Sequence, residues 1–206
     1  MIDDLSSERS FEADDSEQSD PLLALPPERF TSAHDLQGYT RQSAGRRMDE
    51  DPRRTARGYA AIGLVSPKTP ANIGSVMRAA GCYDAALVVL GGQRPLRLAK
   101  FPTDTQRAWR HIPHICVPNV FDAIPYNCVP VAVDLIDGAR DLITYTHPER
   151  AFYIFGPEDG TLGRATTSRC RDTIYVPTRF CMNLAATVNV VLYDRMSKAS
   201  LRSATR

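Results

Sequence analysis

Apolar residues along the chain gather in short runs separated by polar turns. Tyr59-Ala60-Ala61-Ile62-Gly63-Leu64-Val65 is continuously apolar, the pattern of a strand in a parallel sheet covered on both faces. After the loop from Ser66 to Pro70 the period changes. Ile73, Val76, Met77 and Ala80 fall on one helical face, with Asn72 at its start and Gly81 near its end, which predicts a helix over 72–82. Ala85 to Leu90 reads as the second strand, and a strand-helix-strand unit this tight calls for a right-handed parallel crossover. Ile115–Val117, Val129–Val133, Phe152–Phe155 and Ile174–Pro177 read as further strands. A short helix falls near Val120–Ile124 and a short helical segment between Thr161 and Cys170. A long final helix opens at Asn183 and runs to about Ala199, with Leu184, Val188, Val191 and Leu192 on one face. Strands alternating with helices predict an α/β fold, a parallel sheet with helices on both faces.

Residues 1–58 do not share this patterning. They are rich in Ser, Asp and Glu, and Pro21–Pro27 is a lone apolar patch. So little apolar surface cannot offset the entropy of ordering, so a flexible leader is expected, followed by a single domain over 59–206. The charge is split accordingly: 8 Lys+Arg against 13 Asp+Glu in residues 1–58, and 17 against 11 in residues 59–206. The leader is acidic overall, with Arg46, Arg47, Arg53, Arg54 and Arg57 clustered towards its end; it is expected either to compete with a polyanion for the basic part or to help hold one, a solvated tail being the plain alternative.

Composition excludes little else. The chain has no apolar run of 18 residues, so no membrane span is expected, and its acidic start does not read as a secretory signal. Five cysteines without a C-x-x-C pair fit reduced thiols in the cytoplasm, and His111 and His114 have no partner at ligand spacing, so no metal is expected. The most basic stretch of the domain carries Arg94, Arg97, Lys100, Arg107 and Arg110, with Phe101 and Trp109 interleaved. Cations among aromatics suit a surface that contacts phosphates and bases. A helix with a solvated basic face and one buried Trp is the plain alternative.

Three stretches carry candidate chemistry, each placed where a strand gives way to a loop or helix, the usual ligand position in an open α/β sheet. Pro70 to Arg78 holds N-x-G-x-x-x-R, Phe155 to Gly160 holds F-G-P-E-x-G, and Val176 to Leu184 holds V-P-x-x-x-C-M-N-L. Taken singly, Asn72 reads as a helix cap, Gly-Pro-Glu as a turn, and Arg78 as a solvated partner of Glu158. Together and in this order they resemble the three motifs of the SpoU (TrmH) family of RNA 2′-O-ribose methyltransferases of the SPOUT superfamily. The resemblance spans about Ala61 to Arg195 and is closest to the compact members that methylate the tRNA wobble ribose.

That resemblance implies what periodicity does not: a C-terminal deep trefoil knot, S-adenosylmethionine as cofactor, RNA (tRNA or rRNA) as partner, and a homodimer. It implies cofactor binding by Asp134, Leu135, Phe155, Gly156, Glu158, Gly160, Val176, Cys181, Met182 and Leu184. It implies catalytic roles for Asn72, Arg78, Glu158 and Asn183. RNA contact falls to Arg78 together with Arg94, Arg97, Lys100, Arg107 and Arg110. Methyl transfer to a ribose hydroxyl needs in-line alignment and removal of a proton. The family's first-motif arginine is proposed as the base or part of a phosphate-assisted one, but a guanidinium stays charged, so a phosphate clamp and charge stabiliser is the better physical reading of Arg78. Glu158 is either a carboxylate beside a cationic cofactor or an orienter of Arg78. The chain departs from the family at Cys181, where Ser is usual, and at Ala185 and Ala186, where polar residues are frequent. Those departures motivate an alternative, an RNA-binding relative with little or no catalysis. A Rossmann-like nucleotide enzyme ranks lower, because no G-x-G-x-x-G follows the first strand.

Overall fold

A computed structural model describes residues 58–92, 103–105 and 107–204; the leader up to residue 57, Arg94, Arg97 and Lys100 lie outside the described residues. Seven strands run β1 Tyr59–Val65, β2 Leu87–Gly91, β3 His114–Val117, β4 Val129–Val133, β5 Arg140–Asp141, β6 Arg150–Phe155 and β7 Asp172–Tyr175. They form one sheet in the order β3-β2-β1-β6-β4-β7-β5, and every neighbouring pair is parallel. Six strands are expected from the sequence. The seventh, β5, is two residues long, too short for any periodicity to reveal.

The continuous apolar runs became the central strands, as burial on both faces requires. In β1, Ala61, Ile62 and Leu64 are fully buried. Gly63 is there for room: a Cβ at this position would come within 2.6 Å of the Phe152 ring on β6. On one face of the sheet lie helix α1 (Pro70–Cys82) and helix α3 (Leu184–Ala204), packed against each other. Val188, Val191 and Leu192 of α3 are at most 2% exposed. Each fully buried side chain of this kind contributes about 1.5–3 kcal/mol, which outweighs the weak helix propensity of Thr187, Val188, Asn189, Val190 and Val191. The other face is covered by shorter pieces: the 3₁₀ turn Val120–Ala123, with Leu162 and Cys170, which flank the short helix α2 (Arg164–Thr167).

Boundaries moved where proline or a distant contact intervened. Helix α1 begins at Pro70, two residues before Asn72, because proline's fixed φ suits the first helical position. Strand β7 stops at Tyr175, short of Val176-Pro177, where proline offers no N–H to a ladder. Only Arg164–Thr167 is helical within 161–170. Helix α3 runs past Ala199 to Ala204.

At the amino ends of β1 and β6, α3 is fastened by a buried polar network. Arg195, 7% exposed, donates to the carbonyls of Pro148 and Glu149 at 2.6 Å each and to Tyr59 O and the Tyr153 hydroxyl at 3.3 Å. His147 Nδ1 lies 2.6 Å from the Tyr153 hydroxyl and Nε2 lies 2.8 Å from Asp194. Lys198 also reaches Asp194, at 2.7 Å. Donor directions settle the tautomer. The Asp194 carboxylate only accepts, so Nε2 carries the proton and donates to it, leaving Nδ1 to accept from the Tyr153 hydroxyl. Protonation of His147 at Nδ1 would cost it the bond accepted from the Tyr153 hydroxyl. Burial likewise disfavours the imidazolium, and although Asp194 opposes this, the pKa falls from 6.5 to about 4.

A histidine with a lowered folded pKa is protonated first in the unfolded chain, so acid weakens the fold as pH falls from about 6.5 towards 4. Unfolding in urea at a series of pH values should show a His147-dependent loss of about 2–3 kcal/mol across that window, and the His147→Gln protein should lack that component.

Candidate active site

A parallel sheet sends the carboxyl ends of all its strands to one edge, and the order β1-β6-β4-β7 makes four such ends neighbours. The loops after β4, β6 and β7 converge there on a cleft of about 220 Å³. All ten residues expected at a cofactor line it. Asp134 and Leu135 come from the loop after β4; Phe155, Gly156, Glu158 and Gly160 from β6 and its loop; Val176, Cys181, Met182 and Leu184 from the loop after β7. Val133, Pro157, Tyr175, Thr178 and Thr187 line it too. Sequence reasoning missed these five, although Pro157, Tyr175 and Thr178 lie within or directly beside the motifs. The cleft is smaller than the roughly 300–1,000 Å³ typical of enclosed small-molecule sites, so a nucleoside-sized ligand seated here keeps one side uncovered by this chain.

Glu158 binds the loops to one another. Its Oε2 accepts from Lys68 N at 2.8 Å; its Oε1 accepts from Thr69 N at 3.2 Å and from Asn72 Nδ2 at 2.7 Å. Asn72 Oδ1 in turn accepts from Asn183 Nδ2 at 2.9 Å, and Asn183 Oδ1 accepts from Ala185 N at 2.9 Å. The amide orientations are dictated from both ends: a carboxylate only accepts and a backbone N–H only donates, so each Asn between them has one way to point. Asn183 thus caps α3 while holding Asn72, and Asn72 joins α1 to the β6 loop. Asn72 does this from the first turn of the helix and not as its cap; the cap position is Thr69, whose side chain makes no capping bond. Burial raises the Glu158 pKa, but the hydrogen bonds from Asn72, Lys68 and Thr69 outweigh it and hold the carboxyl below its usual range.

Asp134 braces the same loop from the other side, its Oδ2 accepting from Leu162 N at 2.7 Å. Gly156 is fixed by that approach, since a Cβ there would lie 3.3 Å from Leu162 N. Gly160 is under no such pressure; its nearest contact would be Pro157 Cγ at 3.8 Å.

Arg78 stands apart from this chain of bonds. It is exposed on α1, and its Nη1 donates to Thr105 Oγ1. The expectation that Glu158 orients Arg78 is therefore corrected: the Glu158 oxygens are taken up by two backbone amides and Asn72. Of the basic stretch, Arg107 and Arg110 are exposed, and Arg110 lies over the Trp109 ring at 5.1 Å. Trp109 is 36% exposed and not the buried core residue of the plain alternative.

A glutamine at 158 would turn an NH₂ towards one of the three donors. Glu158→Gln should lower the unfolding free energy by about 1–2 kcal/mol near neutral pH. A carboxyl with a depressed pKa contributes above its unfolded value and loses that contribution as pH falls through the folded one. The gap between wild type and variant in urea unfolding should therefore close on acidification below the ordinary glutamate range.

Residues 59–193 match the model of the SpoU rRNA Methylase family. Among solved structures, the SpoU methyltransferase AviRb from Streptomyces viridochromogenes is 21% identical with a TM-score of 0.63, covering 70% of this chain and 61% of its own; it has also been solved in complex with AdoMet. The chain thus spans about three fifths of AviRb. A structure described for the 2-OH methylation of C/U34 on tRNA is 22% identical with a TM-score of 0.60, covering 69% of this chain and 92% of its own. The A. aeolicus TrmH/SpoU tRNA modifying enzyme has a TM-score of 0.63 at 11% identity, covering 73% and 82%. No curated protein sequence matches the chain. The solved structures agree on the fold, and the family's methyl donor is S-adenosylmethionine. The matched segment begins with the first residue of β1 and ends on α3, enclosing the cleft and every loop that forms it, and on that match the chain belongs to the SpoU rRNA methylase family.

Proposed function

We propose that this chain methylates the 2′-hydroxyl of a ribose in RNA, with tRNA a better candidate than rRNA. The observation that carries the proposal is the hydrogen-bonded line Glu158–Asn72–Asn183, which draws the three motif loops around one cleft at the carboxyl edge of the sheet. The residues present suit the methyl donor. Val133, Leu135, Phe155 and Leu184 supply apolar walls for a purine, and Glu158, held ionised, supplies negative charge for a cationic ligand. When bound, S-adenosylmethionine supplies an electrophilic methyl group. The chain's own part is to hold the ribose in line and to keep the loops closed around it. Arg78 supplies a permanent cation for a backbone phosphate next to the reacting sugar. Arg107 and Arg110, with Trp109 beside them, extend that basic surface. The preference for tRNA rests on the 2-OH methylation neighbour, most of whose length this chain covers.

The same reading includes the knotted C-terminal segment, two subunits and a cytoplasmic setting. The sheet order supports the first: the chain leaves β4 for the edge, returns to the centre as β6, and re-enters between β4 and β5 as β7. The exposed side chains of Leu135, Phe180 and Tyr193, 56–76% accessible, support a second subunit against the open side of the cleft. One observation favours an RNA-binding relative with little catalysis. Cys181 lines the cleft where the family has a hydroxyl, and Ala185 is buried against the sheet.

Calorimetric titration should give one S-adenosylmethionine site per subunit. Labelled methyl groups should then pass to bulk tRNA, and alkaline digestion should leave them at ribose. Arg78→Ala should lower transfer by about a hundredfold or more, as expected for loss of a charge-assisted contact, with cofactor affinity unchanged. Tight, salt-sensitive binding of bulk tRNA with no cofactor binding and no transfer would favour the non-catalytic reading.

A further inference from the structure

Arg78 lies on the exposed face of α1, and an arginine there samples many rotamers unless something holds it. The structure supplies a holder from outside the three motifs. Residues 103–105 lie against α1. Thr103 Oγ1 donates to Ala71 O at 2.5 Å, and Thr105 Oγ1 accepts from Arg78 Nη1. The stretch is fixed at its far end as well. Asp104, 4% exposed, accepts Trp109 N at 3.0 Å through Oδ2, and Arg107 N donates to Asp104 O at 3.0 Å. Ala108 packs over Gly81, where an added Cβ would lie 3.0 Å from the Ala108 Cβ.

The spacing gives the hold a direction. Ala71 and Arg78 are about 10 Å apart along the helix axis. Thr103 and Thr105, even fully extended, are separated by about 7 Å. The two threonines thus meet α1 at points closer together than Ala71 and Arg78, which favours an Arg78 side chain lying back towards the start of α1, the direction in which helical Cα–Cβ bonds already tilt. That is the end where Asn72 meets Glu158 and Asn183. With one Nη hydrogen directed to Thr105, the remaining guanidinium donors are left to face a phosphate or ribose oxygen.

We propose that Thr105 is a positioning residue for methyl transfer: its hydroxyl holds the Arg78 guanidinium towards the motif loops before RNA arrives. The assignment rests on the role given to Arg78 above. Thr105 touches neither cofactor nor reacting ribose; it acts by reducing the conformational freedom that Arg78 loses on engaging RNA. Thr105→Val keeps the shape of the side chain and removes the hydroxyl, whereas Thr105→Ser keeps the hydroxyl.

The experiment combines these variants with Arg78→Ala and reads three quantities on the full chain. Single-turnover transfer to bulk tRNA should fall about ten- to a hundredfold in Thr105→Val, the size expected for one hydrogen bond to a charged group. It should return to near wild type in Thr105→Ser, and S-adenosylmethionine affinity should stay constant throughout. In the Arg78→Ala background, Thr105→Val should add nothing, because a residue that acts only through Arg78 has nothing left to position. Arginine side-chain ¹⁵N spectra should show a restrained Arg78 guanidinium in wild type and Thr105→Ser and a freely rotating one in Thr105→Val. The proposal is overturned by an equal loss in both backgrounds, by full transfer in Thr105→Val, or by an Arg78 signal indifferent to residue 105. Absence of transfer by the wild type would count against the methyltransferase reading, and the arginine spectra would still decide for or against the hold on Arg78.

Discussion

One carboxylate joins the parts of the site. Glu158 sits in the loop after β6, yet its oxygens are occupied by two backbone amides at the entry to α1 and by Asn72 within it. Through Asn72 the same link reaches Asn183 and the first turn of α3. The parallel sheet brings the loops to a common edge, but strand ends alone leave loops free to splay. The carboxylate removes that freedom by satisfying donors from a segment some ninety residues away in sequence. It also explains why the residue is charged: three donors converge on it, and a neutral amide cannot accept from all of them.

Helix α3 is secured at both ends by different chemistry. At the cleft, Asn183 caps it and ties it to α1. At the opposite end of the sheet, Arg195 and the His147–Asp194 pair fasten it to β1, β6 and the segment before β6. Between these two points the hold is apolar, through Val188, Val191 and Leu192. A helix fixed in this way cannot slide or rotate without breaking the amide bonds of Asn183 at one end or the charge-assisted bonds of Arg195 at the other. The cap of α3 therefore stays in register with the loop that precedes it.

How much of this was legible in the sequence depended on the range of the interaction. Tyr59–Val65 and Val129–Val133 were found with their true ends, because strands buried on both faces read as continuous apolar runs, here stopped by Ser66 and Asp134. The cofactor loops were legible only through the motifs; periodicity says nothing about Gly156 or Met182. Strand β5 carried no signal, since pairing with β7 and not its own composition makes it a strand. The Asn183–Asn72 bond crosses 111 residues and the Arg78–Thr105 bond crosses 27. Neither separation corresponds to a local spacing rule, so Glu158 could be assigned to the site while its partners were misjudged. The His147 network was unreadable for the same reason: its members come from three elements that meet only after the sheet has formed.

The clamp around Arg195 also determines where the preceding chain must start. Gly58 adopts φ +63°, and a Cβ there would lie 2.3 Å from Glu149 O; next to it, Tyr59 is held through its own N–H and carbonyl. This is the edge of the sheet remote from the cleft. Strand β1 is seven residues long, so the two edges are separated by about 23 Å at the usual rise per residue. A group joined directly at Gly58 thus starts from the edge remote from the cleft. To touch a ligand in the cleft it must first spend some seven extended residues along the outside of the sheet or its helices. A short tag or fusion placed directly at Gly58 would therefore be held away from the cleft by the fold itself.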